Sequence, residues 1–128
     1  VGPDVLDAAA LDKLRELDPK GHNHLLERVL SAYAQSLQKL LLQLPDRATP
    51  SDAELVRQTT HTVKSSSASV GAMHMAKCCA ETEKACRDGD MAQWQSNVPL
   101  LRVEAQRLLD GLARAGYPIE IAARGTTA

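Results

Sequence analysis

Aromatic residues are nearly absent from this sequence of 128 residues: Trp occurs once, Tyr twice, and Phe not at all. A hydrophobic core must therefore be built from Leu, Ala, Val and Met, within a hydrophobic fraction of 44%. Leu, Ala and Met favour helices, whereas sheets prefer aromatic and β-branched residues. Because the length suits one domain better than two, we expect a single all-α domain.

The sequence also lacks the patterns of membrane proteins and of nucleic-acid-binding proteins. No apolar run approaches the roughly 20 residues that a membrane span needs, and the start of the chain does not resemble a signal peptide. The charges nearly balance, with 15 basic and 16 acidic residues, and no basic run occurs. We therefore expect a cytoplasmic domain that contacts neither nucleic acid nor membrane.

Cysteine is scarce, with Cys78, Cys79 and Cys86 as its three occurrences. An odd count with two adjacent residues does not suit a disulfide framework, and reduced core cysteines of a cytosolic protein are the favoured interpretation. A metal site that includes His22 and His24 is an alternative. Their spacing is poor for ligands on a helix, and no C-x-x-C pair is present. We therefore expect no metal, which elemental analysis of the purified chain would test.

Apolar periodicity and helix start and stop signals predict five helices. The predicted ranges are about 8–17, 23–44, 51–70, 73–87 and 91–115. The predicted start signal of the first helix is Asp7, with Leu6 and Leu11 as a hydrophobic staple. Ser51 and Glu54 are predicted to form a capping box at the start of the third helix. Asp90 is the predicted cap of the fifth helix. Gly71 is predicted to end the third helix.

Four long amphipathic helices with short connections predict an antiparallel four-helix bundle, and the short first helix is an addition to it. Pro99 lies inside the fifth helix and predicts a kink or a local break. The apolar seam of this helix could instead form a dimer. Packing within the chain is favoured because the other helices need that face covered, so we expect a monomer. The domain is expected to span 1–118, with a loosely ordered tail at 119–128.

The third helix carries the candidate site. Val56, Val63 and Val70 recur every seven residues and indicate its core-facing stripe. At about 100° per residue, His61 lies about 140° from Val56, so it is predicted to face away from the core. Side chains three and four residues apart are neighbours on a helix surface. The predicted neighbours of His61 are Arg57 and Gln58 one turn before it, Lys64 and Ser65 one turn after it, and Ala68 two turns after it.

These neighbours suit a phosphoryl acceptor. A neutral imidazole is a good nucleophile near pH 7 because its ordinary pKa is about 6.5. Lys64 can offset the negative charge of a phosphoryl group, and the hydroxyl of Ser65 can donate a hydrogen bond to it. A surface His followed by Lys three residues later is more often simply solvated. The run of Ser65, Ser66, Ser67 and Ser69 inside a helix is less ordinary, since Ser is a mediocre helix former.

Residues 60–72 resemble the signature of histidine phosphotransfer (HPt) domains. That signature has His, any residue, an aliphatic, Lys, Gly, Ser or Ala, Ser, and later an aliphatic residue followed by Gly and Ala. The residues that match in register are His61, Val63, Lys64, Ser66, Ser67, Val70, Gly71 and Ala72. Ser65 departs from the usual Gly, and Thr60 from the usual Ala. The similarity extends over about 6–115, with Tyr33 at an often aromatic position and Glu83 in the fourth helix.

The resemblance implies a function. His61 would accept a phosphoryl group from the aspartyl phosphate of one receiver domain, on its outer ring nitrogen, and pass it to an aspartate of another. Lys64 and Ser65 would stabilise the phosphoryl group. We also expect Arg57, Gln58 and Ala68 to dock the partner.

The same resemblance implies what the chain does not supply. The receiver would provide the acidic pocket and Mg²⁺, and the chain needs no cofactor of its own. No Gly-rich loop or Walker motif is present, so a phosphocarrier is expected rather than an enzyme. The chain would serve bacterial two-component signalling, either free-standing or as the C-terminal module of a hybrid sensor histidine kinase.

A rival hypothesis keeps the helical bundle but not the chemistry. A binding-only adaptor would dock a receiver or a kinase without phosphoryl transfer. The presence of both His61 and Lys64 argues against it, because such a relative needs neither residue. A tight complex without phosphohistidine would favour the adaptor.

Overall fold

The computed structural model describes residues 8–22, 24–45 and 49–114, except the side chain of Ala8. Helices α1 to α5 account for most of this part of the chain, and no strand occurs in it. The helices are α1 (Ala8–Glu16), α2 (Leu25–Gln43), α3 (Ala53–Val70), α4 (Met73–Arg87) and α5 (Met91–Arg114), with a short 3-10 helix at Pro50–Asp52 before α3. The prediction of an all-α chain with five helices is confirmed.

The four long helices pack in a closed ring. Helix α2 contacts α3 and α5, α4 contacts the same two helices, and the short α1 packs on α2 and α3. Short turns join α3 to α4 and α4 to α5, so these consecutive helices run antiparallel. The predicted four-helix bundle with an additional N-terminal helix is confirmed. The domain bounds 1–118 and the tail 119–128 stay predictions, since 115–128 lie outside the described residues.

The core is built from aliphatic side chains around one indole. Trp94, Leu37 and Leu108 are buried in it, and Val56, Val63 and Val70 line it from α3 as predicted. Cys79 is buried, Cys78 and Cys86 are partly buried against the core, and the three thiols are free. None of the described helices has both the length and the apolarity needed to cross a bilayer.

The predicted capping box at the start of α3 is wrong by two residues. Pro50 favours the first position of a helix, where its missing N–H costs no hydrogen bond, so the helical turn begins before Ser51. Thr49 is therefore the cap: its side chain and that of Asp52 form the capping box, and the Thr49 N–H donates to Asp52 Oδ2 at 2.8 Å. Glu54 is instead bound by side chains further along α3.

Two predicted helix boundaries near the site are confirmed. Gly71 adopts a φ of 82° at the end of α3, and the N–H of Ala72 donates to the Ser67 carbonyl at 2.8 Å. That pattern is a Schellman cap, for which the left-handed glycine is needed. Asp90 caps α5 by accepting the N–H of Gln93 at 3.2 Å. The predicted cap at Asp7 and its staple residue Leu6 lie outside the described residues.

Pro99 does not interrupt α5, so the local break that was predicted as one of two outcomes is wrong. The helix is continuous from Met91 to Arg114, and Pro99 is exposed on it. Arg102, less than one turn later, donates hydrogen bonds to the carbonyls of Leu41 and Leu44 at the end of α2. A cation at those carbonyls favours the helix end electrostatically and ties α5 to α2.

Candidate functional site

Helix α3 places His61 at the surface, as predicted. The imidazole is 60% exposed, while Val56 and Val63 on the opposite side of the helix are buried. The backbone of a continuous helix supports this exposed ring. The ring is therefore open to solvent without any rearrangement of the bundle.

The inner nitrogen of the ring is held by a carboxylate from the neighbouring helix. His61 Nδ1 lies 2.8 Å from Oε2 of Glu83 on α4. An ionised carboxylate can only accept hydrogen bonds, so Nδ1 must carry the proton and donate it. This hydrogen bond selects the tautomer whose Nε2 has a free lone pair. The arrangement therefore prepares Nε2 as a nucleophile.

Glu83 is buried and surrounded by cations. Only 3% of its side chain is exposed, Lys64 Nζ donates to its Oε1 at 2.7 Å, and Arg87 lies 3.3 Å from its Oε2. The hydrogen bond from Lys64 holds the pKa of Glu83 below its ordinary value, although burial opposes this, and the bond from His61 adds to the lowering. Glu83 therefore stays ionised at neutral pH and remains an acceptor for the imidazole.

Lys64 is a predicted neighbour of His61 that the structure joins to the imidazole through a common partner. Its side chain is 34% exposed, and its Nζ and the imidazole share the Glu83 carboxylate. Ser65 and Ala68 are exposed on α3, as expected for residues one and two turns after His61. All three positions face outward, so they leave the approach to the ring open.

Arg57 and Gln58, one turn before His61, form hydrogen bonds with Glu54. Arg57 contacts Glu54 through two nitrogens, at 2.6 and 2.9 Å, and Gln58 donates to the same carboxylate at 2.9 Å. The Arg57 hydrogen bonds lower the pKa of Glu54 to about 2. These three side chains form a hydrogen-bonded polar surface one turn before His61.

Glu83 and Arg87 are the site residues that sequence reasoning missed. Glu83 lies 22 residues after His61 in the chain, so no helical spacing connects the two. The available signal was weak: Glu83 fell within the part of α4 that resembles the HPt family, and Arg87 stands four residues later on the same face. Only the packing of α4 on α3 brings Glu83, with Arg87 beside its carboxylate, to the imidazole.

The departure from the family pattern at Thr60 has a structural explanation. Thr60 is fully buried, and its hydroxyl donates to the Val56 carbonyl at 2.8 Å. The hydroxyl is therefore satisfied within the helix, and the residue fits where Ala is usual. Nearby, the buried hydroxyls of Tyr33 and Ser67 lie 2.7 Å apart and join α2 to α3. Burial raises the pKa of Tyr33, which stays protonated.

The His and Cys residues were an alternative candidate for metal ligation. Within 8–22, 24–45 and 49–114, no three His, Cys, Asp or Glu side chains converge as ligands of a metal ion would. One histidine and one thiol do approach each other, since Cys78 Sγ and His74 Nε2 lie 3.7 Å apart on one face of α4. A pair of ligands does not make a structural zinc site, which needs four.

The class of protein follows from a match to a known family. Residues 24–114 match the family model of the Hpt domain, which is more than half of the chain. The chain therefore belongs to the Hpt domain family and is a histidine phosphotransfer protein of a phosphorelay. Members of this family are phosphocarriers rather than enzymes with an ATP site. The expected resemblance to HPt domains is confirmed.

One solved structure shows the same fold. The crystal structure of histidine-containing phosphotransfer protein B (HptB) from Pseudomonas aeruginosa PAO1 matches with a TM-score of 0.74. The alignment covers 88% of this chain and 95% of that chain, at 21% sequence identity. No curated protein sequence matches the chain. The structural similarity therefore supports the helical bundle, and the family match supports the class.

Proposed function

We propose that Nε2 of His61 is the phosphoryl acceptor and donor of this domain. It would take the phosphoryl group from the aspartyl phosphate of one receiver domain and pass it to the aspartate of another. The observation that carries this proposal is the hydrogen bond of Nδ1 to Glu83, because it leaves the lone pair of Nε2 on the exposed edge of the ring.

The residues around the ring have separate roles in this proposal. Lys64 offsets the charge of the phosphoryl group. Its Nζ donates to one oxygen of Glu83, and the other oxygen of the same carboxylate holds the imidazole. Ser65 offers a hydroxyl one turn from His61. Arg57, Gln58 and Ala68 belong to the surface that docks the receiver. The receiver contributes its acidic pocket and Mg²⁺, and the chain uses no cofactor of its own.

The wider setting is proposed from the class of the domain. We place it in the cytoplasm of a bacterial cell, as a monomer, with receiver domains of response regulators or hybrid histidine kinases as partners. The chain acts either free-standing or as the C-terminal module of a hybrid sensor kinase. No contact of this domain with nucleic acid or membrane is part of the proposal.

The acceptor is tested by phosphoryl transfer from a receiver. The wild-type chain, incubated with a phosphorylated cognate receiver and Mg²⁺, should acquire an acid-labile label, and His61→Gln should not, because Gln has no nucleophilic nitrogen. His74→Gln is the matched control: His74 is also an exposed histidine, with 66% of its side chain accessible, and its loss should leave labelling unchanged. Undiminished labelling of His61→Gln would show that another residue is the acceptor.

A stable complex without any phosphohistidine would point to the binding-only adaptor instead. The measurement is the same incubation followed by separation of the complex and acid and alkaline treatment of the label. Phosphohistidine is lost in acid and survives alkali, so the two treatments distinguish it from a phosphoserine.

A further inference from the structure

We propose that Ser65 sets the lifetime of the phosphorylated state: its hydroxyl donates a hydrogen bond to the phosphoryl group on His61 and slows the loss of that group. The chain would then hold a phosphoryl group for longer than it would with Gly at this position. The inference rests on the proposed function of His61. It concerns how long the phosphoryl group stays on the ring, which the identity of the acceptor does not decide.

The donors around His61 are unequal, because most of them are already bonded to carboxylates. Three of the four side chains one turn away on α3 donate to a glutamate: Arg57 and Gln58 to Glu54, and Lys64 to Glu83. The fourth is Ser65, whose hydroxyl has no hydrogen-bond partner within 8–22, 24–45 and 49–114. Ser65 is therefore the neighbour with a donor still available to a new group on the ring.

The other serines of the same run use their hydroxyls inside the protein. The bonds are from Ser66 to the Val63 carbonyl at 3.2 Å, from Ser69 to the Ser65 carbonyl at 3.1 Å, and between Ser67 and the Tyr33 hydroxyl at 2.7 Å. A serine in a helix commonly bonds to a carbonyl of the preceding turn in this way. Ser65 departs from its neighbours because its hydroxyl is exposed and makes no such bond.

Helix geometry brings this hydroxyl toward the reacting ring. The Cα–Cβ bonds of a helix tilt toward its N-terminus, so the side chain of Ser65 leans toward the turn that carries His61. The Cβ atoms of residues four apart are separated by about 5–6 Å. An oxygen of a phosphoryl group on the exposed Nε2 can span the remaining gap to the hydroxyl.

A donor at the phosphoryl oxygens favours the phosphorylated state over the transition state of its loss. A phosphorylated side chain carries about two negative charges at neutral pH. Phosphoryl transfer passes through a loose, metaphosphate-like transition state, in which part of this charge has moved from the phosphoryl oxygens to the leaving nitrogen. A hydrogen bond is stronger to the more highly charged acceptor. The hydroxyl of Ser65 therefore stabilises the starting state more than the transition state and raises the barrier.

Ser65 takes no part in the bonds that form and break. In hydrolysis, the oxygen of water forms a bond to phosphorus, the N–P bond breaks, its electron pair returns to Nε2, and a proton of the water passes to solvent. Ser65 keeps its own proton throughout. Because hydrolysis needs no docked partner, the effect of Ser65 is expected in the isolated phosphorylated protein.

The test is the lifetime of the label on that isolated protein. Wild type, Ser65→Ala and Ser65→Gly are labelled by one phosphorylated receiver, separated from it, and kept at neutral pH without receiver or Mg²⁺. We expect both variants to lose label about threefold faster than wild type, because neither side chain can donate the hydrogen bond. Ser65→Thr keeps a hydroxyl and should restore the wild-type lifetime.

Two controls separate the hydroxyl from the stability of α3. Ser69→Ala removes an exposed hydroxyl that is already bonded to the Ser65 carbonyl, and it should keep the wild-type lifetime. Ala favours a helix more than Ser or Gly does, so Ser65→Ala should unfold at no lower urea concentration than wild type. If Ser65 served helix stability alone, Ser65→Ala would hold its label as long as wild type, and this result would overturn the inference.

The remaining outcomes also decide the matter. A Ser69→Ala lifetime as short as that of Ser65→Ala would show that the effect does not belong to Ser65, and so would a short lifetime in Ser65→Thr. If wild type takes up no label from any receiver, the proposed function fails together with the inference. A labelled wild type with the same lifetime as Ser65→Ala overturns the inference alone.

Discussion

At the scale of single residues, Lys64 has two electrostatic roles. Its Nζ is 2.7 Å from Glu83 Oε1, so in the unmodified protein its charge compensates a buried carboxylate. Under the proposed function, a phosphoryl group on Nε2 of His61 would add a second anionic group near this cation, and the charge of Lys64 would lower the repulsion between the phosphoryl group and Glu83. A residue that helical spacing marks only as a neighbour of His61 thus also supports the group that orients the ring.

We expect Lys64→Ala to slow labelling of His61 by about tenfold, because the variant loses one charge-assisted contact at the reacting group. Helix content by circular dichroism should be unchanged, since the side chain is partly exposed and the core is intact. Lys77→Ala, which removes an exposed cation from α4, is the control and should transfer normally. Equal rates in Lys64→Ala and wild type would show that Lys64 is dispensable.

At the scale of elements, the turn between α4 and α5 sets how α4 returns into the bundle. Gly89 has a φ of 73°, and the N–H of Asp90 donates to the Ala85 carbonyl at 2.9 Å. Asp90 then caps α5. One short turn therefore ends α4, which carries Glu83 and Arg87, and begins α5, which packs against α4.

Gly89→Ala should lower the free energy of unfolding by about 1–2 kcal/mol, the cost of a left-handed conformation for a residue with a Cβ. A Cβ at this position would meet nothing within 4 Å, so the change tests backbone strain without a steric clash. Gly89→Asn should cost less, because Asn tolerates this conformation. Urea unfolding measures both, and an unchanged midpoint for Gly89→Ala would contradict the assignment of strain.

At the scale of the whole molecule, Glu83 links stability to pH. Its pKa in the folded chain lies below the ordinary value of 4.5, chiefly through the hydrogen bond from Lys64. A lowered pKa means that the unfolded chain binds this proton more readily, so the contribution is complete above pH 4.5 and is lost as the pH falls through the folded value. Glu54, with its pKa lowered to about 2 by Arg57, adds the same trend.

We therefore expect the free energy of unfolding of wild type to fall on acidification below pH 4.5 more steeply than that of Glu83→Gln. The variant cannot take up this proton, whereas Glu54 contributes equally to both proteins. Chemical denaturation at a series of pH values measures the two slopes. Parallel curves would show that Glu83 has the same pKa in the folded and unfolded chain.

The fold was largely predictable because its signals are local. The stripe of Val56, Val63 and Val70 repeats every two turns, and the cap at Asp90 and the glycine at the end of α3 each depend on residues within about two turns. Two start signals compete before α3, one at Ser51 and one at Thr49. The predicted start was wrong because Pro50 favours the cap at Thr49. At Pro99, α5 is continuous, so the break that propensity offered as one of two outcomes does not occur.

The sequence by itself determined the all-helical class, the exposure of His61 and the presence of Lys64 on its face, because helical periodicity links residues three and four apart. The tertiary structure alone decided which group holds the imidazole. The rotation of α4 against α3 depends on how their buried faces interlock, and no local pattern contains that angle. This packing is what turns Glu83, far away along the chain, into the partner of Nδ1 and leaves Nε2 free to react.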